Sequence, residues 1–129
     1  MRIGEAAKRS GVTAKTIRYY ESIGLIPAAG RTGVGYRAYT ENEVETLRFV
    51  HRARSLGFSV DDVAGLLALW RDRSRASADV KAIASRHVAE IERKIAALES
   101  IRRTVLDLTC RCHGDDRPDC PILGELASP

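Results

Sequence analysis

Long apolar runs are missing from these 129 residues. The longest are a few residues, against the roughly 20 that a membrane-crossing helix needs, and no apolar stretch of signal-peptide type follows the N-terminus. The chain is therefore expected in the cytosol, with no membrane partner. Cysteine is scarce: Cys110, Cys112 and Cys120 are the only three, and all lie within eleven residues near the C-terminus. That is too few and too clustered for a disulfide scaffold, and suits metal or redox chemistry instead. A glycine-rich phosphate loop is lacking, and the three histidines, His51, His87 and His113, are scattered. No nucleophile, base and orienting group stand together, so an enzyme is not expected and no catalytic residue is assigned. Glycine and proline are also absent from 78 to 109.

What the chain does carry is charge, unevenly placed. Residues 1–40 hold seven basic and two acidic groups, 41–75 six and six, 76–109 six and five, and 110–129 two and four. The N-terminal segment is thus the basic one, the electrostatic footprint of phosphate-backbone binding, although solvated surface charge can produce the same excess.

Capping and turn residues cut the chain into helices. Ile3, Ala6 and Ala7 give the apolar side of a first helix that stops at Ser10-Gly11. Thr13 is a good N-cap for a second helix over 14–22, with Ile17 and Tyr20 on one face and Lys15, Arg18 and Tyr19 outward. Helix, glycine turn, helix is a layout that presents a helix to the DNA major groove. Gly30, Gly33 and Gly35, then Tyr36-Arg37-Ala38-Tyr39, predict a short β-ribbon, a wing placing Arg31, Tyr36 and Arg37 beside the basic helix. Tyr39 reads instead as a core residue. Thr40 to Glu43 has the pattern of a capping box and opens a helix to about Leu56, closed by Gly57. Ser59 caps the next, whose stripe is Val60, Val63, Ala64, Leu67 and Trp70. These two helices are expected to pack as a hairpin.

The division expected is a DNA-binding domain over 1–70, a charged and serine-rich hinge over 71–78, a long helix over 78–109 and a C-terminal segment over 110–129. That helix would measure roughly 45 Å at ~1.5 Å per residue. Along it Val80, Ala84, His87, Ile91, Lys94, Leu98, Ile101, Val105 and Leu108 follow alternating steps of four and three, and seven of the nine are apolar. This is a coiled-coil seam with two polar interruptions, His87 being read as an interface histidine rather than a ligand. No second long helix exists to fill the groove, which predicts a homodimer about a two-fold axis.

In the C-terminal segment Cys112 and Cys120 bracket a loop in which Gly114 and Pro118 let the chain fold back, so that two thiols can approach one ion. A thiolate pair suits monovalent copper or its soft relatives. Zinc would want further ligands from Cys110, His113 or a loop aspartate. Three inert thiols, or a disulfide between Cys112 and Cys120, also satisfy the spacing. Ile122, Leu123 and Leu126, on a final helical turn, are expected to cover the loop and exclude water.

Taken together, I-G-E-A-A-K-R-S-G-V-T-A-K-T-I-R-Y-Y-E-S-I-G-L-I (3–26), G-Y-R-A-Y-T (35–40) and C-H-G-D-D-R-P-D-C-P-I (112–122) resemble the MerR family of bacterial transcription regulators, and within it the copper-efflux-regulator branch. The resemblance implies a mainly α fold: a winged helix-turn-helix domain, a dimer built on an antiparallel coiled coil, and a C-terminal metal-binding loop. It implies Cys112 and Cys120 as ligands of a linear site for Cu(I), Ag(I) or Au(I). Ser77 stands where divalent-metal relatives carry a third cysteine donated by the other subunit, and Lys81 where the partner compensates the anionic bis-thiolate. Cys110 has no counterpart in the pattern. Also implied is activation of copper efflux or detoxification promoters by bending and untwisting an operator whose elements are spaced too far apart for RNA polymerase. Two other readings stay open, a sensor of Zn(II), Hg(II) or oxidants of the same family, and a small thiol metal-delivery protein.

Overall fold

A computed structural model describes residues 1–31 and 37–129, apart from the side chains of Arg31 and Arg37. Its elements are α1 (Ile3–Ser10), α2 (Ala14–Ser22), β1 (Gly30–Arg31), β2 (Arg37–Ala38), α3 (Glu41–Ser55), α4 (Val60–Arg71), α5 (Ser77–Arg111) and α6 (Pro121–Ala127). The fold is mainly helical, as the sequence implies. No helix among the described residues is long and apolar enough to cross a membrane.

Local chemistry sets most boundaries. Gly11 ends α1 in the left-handed region at φ 80°, its N–H donating to the Ala7 carbonyl, a conformation glycine adopts without a Cβ clash. The Thr13 hydroxyl accepts from the Thr16 amide at 3.2 Å and starts α2. At Thr40 both halves of the capping box form: the Glu43 amide donates to the Thr40 hydroxyl at 3.2 Å, and the Thr40 amide donates to the Glu43 carboxylate at 3.1 Å. The Ser59 hydroxyl accepts from the Asp62 amide and opens α4.

The chain divides into two compact units, Met1–Ile83 and Ala84–Pro129. In the first, α1 packs on α2 and α3, and α3 on α4. Ile17, Val44, Leu47, Val50 and Val63 are fully buried at its centre. The expected stripe of α4 is corrected at two places. Val63 and Leu67 enter the core, but Ala64 is exposed and Trp70 is 42% exposed. The indole lies at the margin of the α3–α4 contact, stacked on Phe49 with ring centroids 4.5 Å apart. The unit also extends past Trp70, where a domain end was expected, because the first turns of α5 pack on α4: a Cβ added at Gly65 would sit 3.5 Å from Ile83 Cδ1.

In the second unit the rest of α5 leads through 112–120 into α6. His87, the polar member of the seam, is buried in the single chain, with Nδ1 3.9 Å from Glu90 Oε2. Leu108 is buried as well. The middle of the seam is bare: Ile91, Leu98, Ile101 and Val105 are between 39% and 65% exposed, and Val88 and Ile95 beside them are exposed too.

Candidate DNA-binding face and metal centre

Residues of α2 lie about 100° apart around its axis, so burying Ile17 and Tyr20 turns Lys15, Arg18 and Tyr19 outward, and all three are exposed. Behind them α1 is clamped to α3. Arg9 pairs with both carboxylate oxygens of Glu41, and Arg48 Nε donates to the Arg9 carbonyl at 2.9 Å. The guanidinium of Arg9 is the main cause holding the Glu41 carboxyl below its ordinary range.

β1 and β2 pair antiparallel, Gly30 with Ala38 and Arg31 with Arg37, which forms the base of the expected ribbon. Tyr36 and the side chains of Arg31 and Arg37 lie outside the described residues. Tyr39 is buried, as expected of a core residue. Its hydroxyl donates to Glu21 Oε1 at 2.8 Å, while Glu21 Oε2 accepts from the Ala29 amide at 2.8 Å. One carboxylate on α2 thus ties both sides of the ribbon base to the helix that carries Arg18. Sequence reasoning missed Glu21. The available signal was that the strongly basic segment 1–40 retains only two acids, Glu5 and Glu21.

This arrangement presents three donor side chains from one helix, geometry suited to a duplex groove and its phosphates. Arg18→Ala is expected to weaken operator binding by ~1–3 kcal/mol, about fivefold to 150-fold. Metal affinity should not move. Gel-shift titration at fixed salt checks it, and unchanged DNA affinity would take Arg18 out of the interface.

At the other end of the chain the Cys112 amide donates to the Thr109 carbonyl at 3.2 Å, closing the last turn of α5. Gly114 turns the chain at φ 65°. Asp115 then accepts from the Arg117 amide at 3.0 Å and from Arg117 Nε at 2.8 Å. The return delivers Cys120 as the N-cap residue of α6, with Pro121 in the first turn. The two sulfurs come to 3.9 Å, both residues half-buried. An S–S bond is ~2.05 Å, so these are free thiols. Backbone N–H groups at the start of α6, that of Leu123 foremost and Ile122 next, with the Cys112 thiol, hold the Cys120 thiol below its ordinary value against the opposing cost of desolvation. Thiolate, the ligating form, is thereby favoured.

The donor set fits a soft ion. Two metal–thiolate bonds of ~2.3 Å laid end to end span ~4.6 Å, less than an ångström beyond the observed separation. Among the described residues no group of three or more His, Cys, Asp or Glu side chains gathers to hold a metal. Cys110 is exposed, and among the described residues neither it nor His113 joins the pair in a donor group. The expected cover is corrected in part. Ile122 is half-buried, but Leu123 and Leu126 are 65% and 74% exposed, because three residues apart on α6 they share its outer side. Ser77 opens α5 and Lys81 follows one turn later. Both are exposed and belong to the N-terminal unit, whereas the cysteines belong to the C-terminal one.

The profile of the MerR HTH family regulatory proteins matches residues 1–69, and that described as MerR, DNA binding, matches residues 44–108. The chain belongs to the MerR family. Among MerR regulators it is 64% identical over 128 residues to heavy metal-dependent transcription regulator 2 of Rhizobium meliloti strain 1021, covering 99% of this chain and 87% of that one. With the HTH-type transcriptional regulator CueR of Yersinia pestis it shares 44% over 127 residues, covering 98% and 91%. The crystal structure of PbrR691 from Ralstonia metallidurans CH34 in complex with lead(II) superposes with a TM-score of 0.84 at 32% identity, covering 98% of this chain and 99% of that one. These MerR relatives are transcription regulators and not enzymes.

Proposed function

We propose that this MerR protein is a cytoplasmic, homodimeric sensor of Cu(I), with Ag(I) or Au(I) as substitutes. In this reading it activates promoters of copper efflux or detoxification genes by distorting operator DNA to which RNA polymerase binds. The observation that carries the reading is the thiol pair 3.9 Å apart, with no third ligand of this chain gathered beside it among the described residues. Two soft donors and low coordination suit a monovalent coinage ion better than a divalent one. Heavy metals in the names of its relatives support the wider class, and the likeness to CueR the narrower one.

In this reading Cys112 and Cys120 hold the ion, and their bis-thiolate carries a net negative charge. Ser77 and Lys81 of a second copy meet that charge, Lys81 by compensating it and Ser77 by withholding the thiolate a divalent ion would need. Closing the 112–120 loop biases the long helices, and these re-angle two DNA-binding faces that grip one palindrome. Lys15, Arg18 and Tyr19 enter the major groove while Arg31, Tyr36 and Arg37 hold the flanking backbone. Both metal-free and metal-bound forms keep the operator. The ion must favour the activating state, typically by ~1–3 kcal/mol.

A sensor of divalent metal is the second reading, favoured by the likeness to a regulator crystallised with lead(II). In vitro transcription from the protein's own promoter region, comparing Cu(I), Ag(I), Zn(II), Hg(II) and Pb(II), separates the two. Induction by Cu(I) and Ag(I) alone is the expected result. Equal induction by Zn(II) or Pb(II) would overturn the Cu(I) assignment, and absence of operator binding would favour a thiol metal-delivery protein.

A further inference from the structure

The segment expected to be a charged, serine-rich hinge carries a set of hydrogen bonds. α4 ends at Arg71 and α5 begins at Ser77. The last carbonyls of a helix lack intrahelical donors. Here Arg75 supplies them, Nη1 donating to the carbonyls of Trp70 and Asp72 at 3.2 Å each, and its amide donating to the Asp72 carbonyl at 3.2 Å. Asp72 Oδ1 accepts from the Ser74 amide at 2.9 Å and from the Ser74 hydroxyl at 2.6 Å, which fixes the turn between them. Arg71 fastens the same helix end to α3: its Nη2 donates to the Thr46 hydroxyl at 3.2 Å, and that hydroxyl donates to the Asn42 carbonyl at 3.0 Å.

Apolar packing completes the joint. Trp70 stacks on Phe49, and both line a cavity of about 150 Å³ with Leu66, Arg75 and Val80. Gly65 faces Ile83 one turn further along α5. Residues of α3, α4 and the first two turns of α5 therefore share one set of contacts.

We propose that Arg71 and Arg75 are positioning residues for activation: Arg75 fixes the connector to the end of α4 and Arg71 fixes that end to α3, while Val80 and Ile83 seat the start of α5 beside them, so that a displacement of α5 turns the DNA-binding face instead of being absorbed in the connector. This rests on the metal-sensing reading above. A lever transmits motion only through a stiff joint, and a connector of five residues without these bonds would have the backbone freedom to take up a small rotation.

The test uses the full-length protein and the variants Arg75→Ala, Arg75→Lys, Arg71→Ala and Thr46→Val. The last keeps the side-chain volume and removes only the hydroxyl, so it serves should an arginine variant fold poorly. Amide exchange in the metal-free protein is expected to rise at least about tenfold at residues 74 and 75 in Arg75→Ala. Operator affinity and Cu(I) affinity, the latter by chelator competition, should stay at wild-type levels. The metal-dependent signal of a fluorescent base analogue at the operator centre, and transcript yield with it, should fall by about fivefold or more. Arg75→Lys should restore part of both, since an ammonium can still donate to one carbonyl. Undiminished distortion in Arg75→Ala and in Thr46→Val would overturn the proposal, as would wild-type connector amides that exchange at the rate of an unstructured chain. Should the wild type show no distortion with any metal, the sensing reading falls, and the exchange rates alone still decide whether the joint is welded.

Discussion

Serine in place of Cys112 or Cys120 is expected to abolish transcription induced by metal while leaving operator binding as it was. The substitution trades a soft, polarisable thiolate for a hydroxyl that stays protonated and is a poor partner for Cu(I). Loss of metal affinity should exceed the ~100-fold that changes to outer-shell partners cost, because a ligand itself is removed. The fold should hold in both variants. Cys120 is the N-cap residue of α6, a position where serine is among the preferred residues. Cys112 follows the last turn of α5 half-buried, and its backbone bond to Thr109 does not involve the sulfur. Cys110→Ser is the matching control: its thiol is exposed and no third donor gathers at the pair among the described residues, so induction should persist. Chelator competition for Cu(I), with footprinting on the operator, separates metal binding from DNA binding. Induction surviving in Cys112→Ser or Cys120→Ser would remove those residues as ligands.

The second large effect is expected on the bare face of α5. Leu98→Asp combined with Ile101→Asp should leave the chain monomeric at micromolar concentration and cost it operator binding. Leu98 and Ile101 are 65% and 60% exposed in the single chain, so an aspartate there meets water in the monomer and does little to its fold. Against a second helix the same carboxylates would be buried, at several kcal/mol per ion after relaxation. A two-fold dimer repeats each substitution on the opposite helix, so four such charges oppose association. Loss of the dimer then forfeits simultaneous contact with both half-sites of a palindrome. Sedimentation equilibrium reads the mass directly. A variant that remains dimeric would show that the partner covers some other face.

Much of the N-terminal unit was legible because its signals act over a few residues. Thr13 caps α2, Thr40 and Glu43 form the reciprocal box, and Gly11 takes the left-handed turn, each within four residues of the group it serves. The alternation of apolar positions placed Ile17 and Tyr20 inward and hence Lys15, Arg18 and Tyr19 outward. For the thiol pair, the glycine and proline between Cys112 and Cys120 were enough to predict a fold-back, and the sulfurs do meet.

Periodicity and composition fell short at three places. Trp70 obeys the stripe of α4 yet stays at the margin, because its partner is the ring of Phe49 and not the centre of the core. His87 keeps its heptad place but is buried within its own chain. The run 71–78 has the composition of a solvated linker, and only the meeting of Arg75 with two carbonyls and of Arg71 with Thr46 makes it a joint.

The order of residues alone settled which stretches are helical and where each begins, since capping, turn and periodic preferences are properties of near neighbours. Tertiary packing decided that Glu21 braces the ribbon, that α5 starts inside the DNA-binding unit, and that the outer leucines of α6 are left uncovered. Those outcomes depend on side chains far apart in the chain, brought together only once the core around Ile17, Val44, Leu47, Val50 and Val63 has closed.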